Sequence, residues 1–305
     1  MRTMDAAKGR WPGILMALGV DEQFLRNRHG ECPMCGGHDR YRFDDNNGEG
    51  GYYCNSCGPG DGMKLLMGVT GKSFGEAAKA VDEIVGNVPM GAPKPAGPDP
   101  RVRLRKVAQS LQRLGGVTAV GSYLKARGLA PSPITQYCPR MPYYEDGQLK
   151  RSYPAMVHLF RGPDGDPLTY HITYLENDTK ADVSAPKKIL TPLGPMAGGA
   201  IRLYPESRLM GIAEGIETAI AASDRFGLPV WAAYSANLLE QWKPPAGVEE
   251  VWVFGDNDNS FTGQSSAYNL AKRLHREGLK VIVMIPETAN TDFADEVEHF
   301  QLTKR

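Results

Sequence analysis

The 305-residue sequence contains no long apolar run and no excess charge of either sign. No stretch approaches the roughly 18 consecutive apolar residues of a membrane span, and the opening Met1-Arg2-Thr3-Met4-Asp5 lacks the apolar core of a secretory signal. A cytoplasmic protein with no membrane partner is expected. Cysteine is scarce, with five residues in all, and cytoplasmic thiols are normally reduced, so pairing points to metal ligation rather than disulfides. A phosphate-binding P-loop is also missing. The segment Gly68-Val69-Thr70-Gly71-Lys72-Ser73 ends like one, but G-x4-G-K-[ST] requires glycine at position 66, where Leu66 stands. Gly71 and Ser73 read instead as a turn and a helix cap.

A net charge of zero argues at first against a phosphate-rich partner, which usually needs a basic surface. The halves differ, however. Residues 209–305 hold 8 Lys and Arg against 14 Asp and Glu, while residues 1–208 hold 27 against 21. A basic portion that grips a backbone beside an acidic portion that recruits metal ions fits phosphate chemistry; solvated charged faces are the plainer alternative. The length exceeds a single domain of ~100 to 200 residues and calls for two or three compact units.

Residues 11–28 place Trp11, Ile14, Leu15, Leu18, Phe24 and Leu25 as short packed helices would. After the cysteine-bearing segment, Ser73-Phe74-Gly75-Glu76 predicts a capping box opening a helix through Val85. Residues 86–100 carry five prolines and almost no large apolar side chain, the composition of a linker. Beyond it, Arg101–Leu114 and Thr118–Arg127 read as helices, and the β-rich segments around Met156–Phe160 and Thr169–Leu175 flank the turn signal Gly162-Pro163-Asp164-Gly165. From Leu209 strands and helices alternate: strands over 209–213, 229–233, 250–254 and 280–285, helices over 216–226, 237–241 and 263–277. That order predicts a mostly parallel sheet covered by helices.

Four cysteines form C-x2-C-x18-C-x2-C, Cys32 and Cys35 with Cys54 and Cys57, the spacing of two knuckles that hold Zn2+ tetrahedrally. Tyr41-Arg42-Phe43 and Gly51-Tyr52-Tyr53 alternate as strands around a turn at 44–48, so the module is expected to be a zinc ribbon. Four thiolates close the coordination sphere, which makes the metal structural. His29 and His38 are not needed as ligands, and Cys138 reads as a structural thiol.

Glu214 follows one predicted strand and Asp256 and Asp258 follow another, at the carboxyl edge where open α/β sheets bind ligands. With alternate side chains facing one way, the two aspartates converge while Asn257 points elsewhere. Hard oxygen ligands there suit Mg2+, or Mn2+, bridging to phosphate.

The stretch from Cys32 to Phe43, with Tyr52-Tyr53-Cys54-Asn55-Ser56-Cys57-Gly58, resembles the zinc-binding domain of phage and prophage primases. That resemblance implies reading of single-stranded template bases, with Tyr41, Phe43, Tyr52 and Tyr53 available to stack and Arg40, Arg42 and His38 to contact phosphate or base edges; the alternative is that at least half of these aromatics build the module's core. Ala213-Glu214-Gly215-Ile216-Glu217-Thr218-Ala219 and Phe254-Gly255-Asp256-Asn257-Asp258 resemble the Toprim domain of primases, topoisomerases, some nucleases and recombination proteins. The first of these motifs, with Lys187-Lys188-Ile189-Leu190 and Gly198 to Leu203 upstream, is most similar to the form in prophage primases and primase-helicases. Asp292-Phe293-Ala294-Asp295 is similar to that family's Asp-Phe-Asn-Asp stretch, with alanine in place of asparagine.

The resemblance implies that Glu214, Asp256 and Asp258 hold the catalytic metal and that Asp292 or Asp295 completes a second site. Lys187, Lys188 and Arg202 are candidates for neutralising triphosphate charge, against the alternative of a solvated basic loop. Glu217 is either a residue behind the metal ligands or a favourable charge in a helix's first turn. The fold class expected is α/β: a zinc-ribbon domain over 1–85, a linker over 86–100, an α+β amino-terminal part of an RNA polymerase domain over 101–208, and a Toprim domain over 209–305. The implied activity is a DNA-dependent RNA primase acting on single-stranded DNA and ribonucleoside triphosphates, with a separate replicative helicase as partner. A Toprim nuclease and a non-catalytic recombination mediator use the same modules and stand as alternatives. A type I topoisomerase requires a further large domain with a nucleophilic tyrosine.

Overall fold

The computed structural model describes residues 3–91, 99–145 and 147–302, and the chain divides into two compact units, 1–97 and 98–305. No helix among the described residues is long and apolar enough to cross a membrane.

In the first unit, helices α1 (Thr3–Ala7) and α2 (Trp11–Ala17) precede a four-stranded antiparallel sheet, β1 (Gly30–Cys32), β2 (Gly36–Phe43), β3 (Tyr52–Cys54) and β4 (Gly58–Gly60), in sequential order. Helices α3 (Gly62–Thr70) and α4 (Phe74–Ile84) follow. The ribbon is too small to bury a core alone, so its inward residues Tyr41, Phe43 and Tyr52 pack with Trp11, Ile14, Leu15, Leu65, Leu66 and Val81 from the helices. Gly62 at the start of α3 lets that helix lie on the indole, since a Cβ there would come within 2.2 Å of the Trp11 ring. The capping box is present: Ser73 caps α4, its oxygen accepting from Glu76 N while the Glu76 carboxylate accepts from Ser73 N at 2.8 Å. Of the segment read as a linker, residues 86–91 belong to this unit. The Arg10 guanidinium donates to the carbonyls of Val85 and Val88, and Gly91 N donates to Gly9 O. Residues 92–98 lie outside the described residues, and Asp99 already caps the next helix.

The second unit opens with α5 (Pro100–Ser110), β5 (Gln112–Arg113) and α6 (Ala119–Ala126), the last ending at Gly128, which has φ of +70°. The strands β6 (Gln136–Glu145), β7 (Gln148–Arg161), β8 (Pro167–Glu176), β9 (Thr179–Lys180), β10 (Lys187–Ile189) and β11 (Ala200–Ile201) then form antiparallel pairs. The expected hairpin at 162–165 joins β7 to β8. The alternating region is β12 (Leu209–Ala213), α7 (Ile216–Phe226), β13 (Val230–Ala232), α8 (Ala236–Gln241), β14 (Glu250–Phe254), α9 (Thr262–Arg276), β15 (Lys280–Met284) and α10 (Phe293–Leu302). Its four strands run parallel in the order β13-β12-β14-β15. The two regions share one 11-stranded sheet, because β11 bridges β7 to β13 through Ile201 opposite Phe160 and Ala232. The boundary read at 208/209 is therefore a change of strand direction within one packed body. Its central strand β12 is buried from Met210 to Ala213, as a strand covered on both faces must be.

Candidate functional site

The chain enters the parallel sheet at its centre, on β12, moves to β13 on one side and then crosses to β14 and β15 on the other. Reversal of strand order opens a crevice between β12 and β14 at their carboxyl ends, the place where open α/β sheets bind ligands. Ala213 and Phe254 are register partners there, so Glu214 and Asp256 leave the sheet on adjacent strands. The resulting cleft, about 190 Å3, is walled by Glu214, Glu217, Asp256 and Asp292 together with Arg127, Lys180 and Lys187. Acids and cations lining one cleft are an arrangement for a metal-bridged anion.

Burial holds two of the carboxylates above the usual carboxylate range. Burial, and then the charge of Asp258, push Glu214 up to about 7, with Lys187 and the Ala236 N–H opposing. Asp256 is pushed up to about 8 by burial, then by Glu214, Asp292 and Asp258. Its Oδ1 is buried with no hydrogen-bond partner in the protein. A buried carboxylate oxygen without a donor is costly, and a divalent cation relieves it. Asp258 is placed differently: its Oδ2 accepts from Gly263 N at 2.9 Å, at the start of α9, while its charge still reaches Glu214 and Asp256. Gly263 allows that approach, since a Cβ there would lie 2.5 Å from Asp256 O. The Asn257 side chain turns away, donating to Pro286 O at 2.8 Å and accepting from Gln264 Nε2. Among the described residues these carboxylates do not close into a compact cage of the kind the cysteines form. An ion that keeps several of its waters needs only one or two carboxylates, so the donor set fits Mg2+.

Asp292 and Asp295 cap α10 reciprocally. Asp292 Oδ1 accepts from Ala294 N and Asp295 N, and Asp295 Oδ2 accepts from Asp292 N. Asp292 also walls the cleft, while Asp295 pairs with Arg127 at 3.3 Å. Of the three cations read from sequence, Lys187 faces the cleft and pairs with Glu217 at 3.3 Å. Lys188, the next residue on β10, donates to Tyr144 O and lies 3.8 Å from the centre of the Tyr143 ring. Arg202 donates to Gly162 O and Pro163 O and stacks 4.8 Å from the Trp231 ring centre, pinning the β7–β8 turn. The sequence reading missed Arg127 and Lys180, Tyr234, which also lines the cleft, and Tyr123, which donates to Glu217. Lys180 follows an Asn177-Asp178 turn with both residues at positive φ, a hairpin signal that could have placed it. Nothing local marks the other three.

In the first unit the sulfurs of Cys32, Cys35, Cys54 and Cys57 lie within 4.8 Å of one another. Tetrahedral Zn–S bonds of ~2.3 Å separate sulfurs by about 3.8 Å. The Cys32–Cys57 and Cys35–Cys54 pairs stand 3.9 and 3.7 Å apart. Burial lifts the Cys32 thiol to about 11 against the Met34 and Cys35 N–H groups, and Cys57 is raised too, so the cluster ionises fully only around a dication. The residues fit a structural zinc. Tyr41, Phe43 and Tyr52 are core, whereas His38 is exposed and Arg40, Arg42 and Tyr53 are partly so.

Residues 27–63 match the zinc-binding domain of primase-helicase, and residues 209–299 match the Toprim domain. The chain joins a primase-type zinc ribbon to a Toprim domain. Between them, residues 99–203 match a Domain of unknown function (DUF7146). Similar solved structures are DNA primases. A DNA primase domain from Pseudomonas aeruginosa is 14% identical with TM-score 0.45, covering 66% of this chain and 74% of its own. The zinc-binding and RNA polymerase domains of Aquifex aeolicus primase are 14% identical with TM-score 0.44, covering 100% and 84%. The primase fragment of the bacteriophage T7 primase-helicase protein is 14% identical with TM-score 0.39, covering 90% and 95%. Glu214 and Asp256, which line the β12/β14 crevice, lie within the segment that matches the Toprim domain.

Proposed function

We propose that the protein is a DNA-dependent RNA primase that makes short RNA primers on single-stranded DNA from ribonucleoside triphosphates. The observation that carries this reading is the pairing, in one chain, of a primase-type zinc ribbon with a Toprim cleft whose unpartnered acid faces three cations. Glu214, Asp256 and Asp258 hold Mg2+, and Asp292 stands on the wall beside them. Bound there, the metal supplies Lewis acidity to a 3′-hydroxyl and to the departing pyrophosphate. The protein's own groups do the rest. Lys187, Lys180 and Arg127 receive the phosphate chain, and burial of the acids in the crevice strengthens every charge interaction within it. Lys188 and Arg202, engaged elsewhere, are assigned structural roles. The ribbon reads template bases through the outward Arg40, Arg42, Tyr53 and His38, and a separate helicase unwinds the duplex.

The test is incubation of the zinc-loaded chain with a single-stranded DNA pool, labelled ribonucleotides and Mg2+, wild type against Asp256→Ala with Asp258→Ala. Short labelled products that vanish in the variant support the reading. Shortened template in place of products shows the nuclease, and intact template without products shows a binding protein.

A further inference from the structure

Glu217 is charged, buried and ringed by donors from three other elements. Its Oε1 accepts from Tyr123 Oη of α6 at 2.8 Å and lies 3.4 Å from Lys180 Nζ of β9; its Oε2 lies 3.3 Å from Lys187 Nζ of β10. The glutamate side chain is 4% exposed, whereas the lysines keep 32% and 39%. Burying a carboxylate is costly unless its partners are well placed. Here one carboxylate is set against two cations, which leaves net positive charge on that wall. Each ammonium carries three N–H donors, and Glu217 takes one from each. No other hydrogen-bond acceptor for either lysine is present among the described residues. The spare donors belong to groups that wall the cleft beside Arg127, with Glu214 and Asp256 completing it.

We propose that Glu217 is a positioning residue that holds the Lys180 and Lys187 ammonium groups side by side as a two-cation seat for the phosphate chain of a nucleotide, an inference that rests on the nucleotidyl-transfer reading of the same cleft. Two ammonium groups this close repel one another. Shared attraction to a fixed anion keeps both turned to one place, and the Tyr123 hydroxyl fixes that anion. The binding entropy of ordering two long side chains is thereby spent in folding rather than when the ligand arrives. A purely structural ion-pair network has the same contacts but no consequence for an incoming anion.

The probe is inorganic tripolyphosphate, titrated calorimetrically into the zinc-loaded full chain without Mg2+. Wild type binds, and Lys187→Met weakens binding about tenfold, the loss of a charged hydrogen bond. Glu217→Gln weakens it about as much, and causes no further loss once Lys180→Met and Lys187→Met are both in place, because the glutamate acts through the two lysines. No binding by wild type, affinity in Glu217→Gln equal to or above wild type, or a further loss when Glu217→Gln is added to the variant lacking both lysines each overturn the seat. Circular dichroism checks that Glu217→Gln is folded. Should it not be, Tyr123→Phe carries the test with every charge retained: about threefold weaker binding supports the seat and unchanged affinity overturns it. In primer synthesis Glu217→Gln raises KM for ribonucleotides about tenfold with kcat within threefold; unchanged KM overturns the seat and leaves the primase reading intact. Tripolyphosphate binding lost in Glu217→Gln by a chain that makes no primers keeps the seat and removes the primase reading.

Discussion

Asp256 shows what burying an acid at a sheet edge costs. Its carboxyl is lifted to about 8 by burial and by Glu214, Asp292 and Asp258, and one oxygen has no donor. A carboxyl with a folded pKa above its unfolded value, near 4, favours the fold while protonated. That contribution is complete below about pH 4 and is lost as pH rises through 8. Asp256→Asn cannot ionise, so the metal-free variant is expected to melt above wild type at about pH 8.5, by ~2–4 °C per kcal/mol relieved, with the gap closing towards pH 4. Thermal scans in chelator measure this, and a lower melting temperature for the variant at high pH contradicts it. Primer synthesis by the same variant is expected to fall at least ~100-fold, as when a group that stabilises transition-state charge is removed. Much of this was legible in the sequence, since acids after two strands of a parallel sheet belong at its carboxyl edge. Lys187 and Lys188 were less so. Grouped as one basic motif, they occupy successive positions of β10, whose side chains take opposite faces, and make separate contacts, one with Glu217 and one with Tyr144. Arg127 and Tyr123 come to the cleft only through the docking of α6, which leaves no local pattern.

Among elements, the parallel half was readable because short apolar runs such as Leu209–Ala213 and Val230–Ala232 alternate with helix-length segments, one of them opened by the Ser235 cap of α8. The antiparallel half hid its longest strands. β6 contains Pro139 and Pro142, which remove ladder donors, and its pairing with β7 slips between Cys138 and Met141 to accommodate them. The middle of β7 and β8 carries a second unexpected feature, His158 and His171 as buried register partners. His158 Nε2 meets Thr135 Oγ1 at 3.0 Å, but the Nδ1 atoms of both rings lack partners. Burial holds His158 down to about 4; burial, then Lys187 and His158, hold His171 down to about 3. Both fold as neutral rings. Their contribution is present above the unfolded pKa near 6.5 and is lost as pH falls towards 4, on the order of 3 kcal/mol each by then. The urea midpoint of wild type is expected to drop between pH 7 and pH 5, and His171→Gln to show a shallower drop. Parallel slopes for the two proteins would rule out the histidines as the cause.

At the scale of the whole molecule, each unit has its own core, one built around Trp11 and the ribbon and the other around the 11-stranded sheet. Zinc therefore bears on the first unit alone. Chelation, or Cys54→Ser, is expected to remove amide protection from residues 27–63 in hydrogen exchange while β12, β14 and α7 keep theirs. Loss of protection in both units would show that they fold as one. The Pro-rich run between them predicts a further dependence. A short tether keeps a module near its target at an effective concentration of about millimolar, without any added contact. If the ribbon delivers template to the Toprim cleft of its own chain, residues 1–91 and 99–305 supplied as separate chains should make primers ~100-fold more slowly at micromolar concentration, and the rate should climb as the ribbon fragment is raised towards millimolar. Zinc-loaded ribbon and a folded second fragment are confirmed beforehand by metal content and circular dichroism. Equal rates for the split and intact proteins would mean that the tether confers no advantage, and that the ribbon serves another chain's cleft as readily as its own.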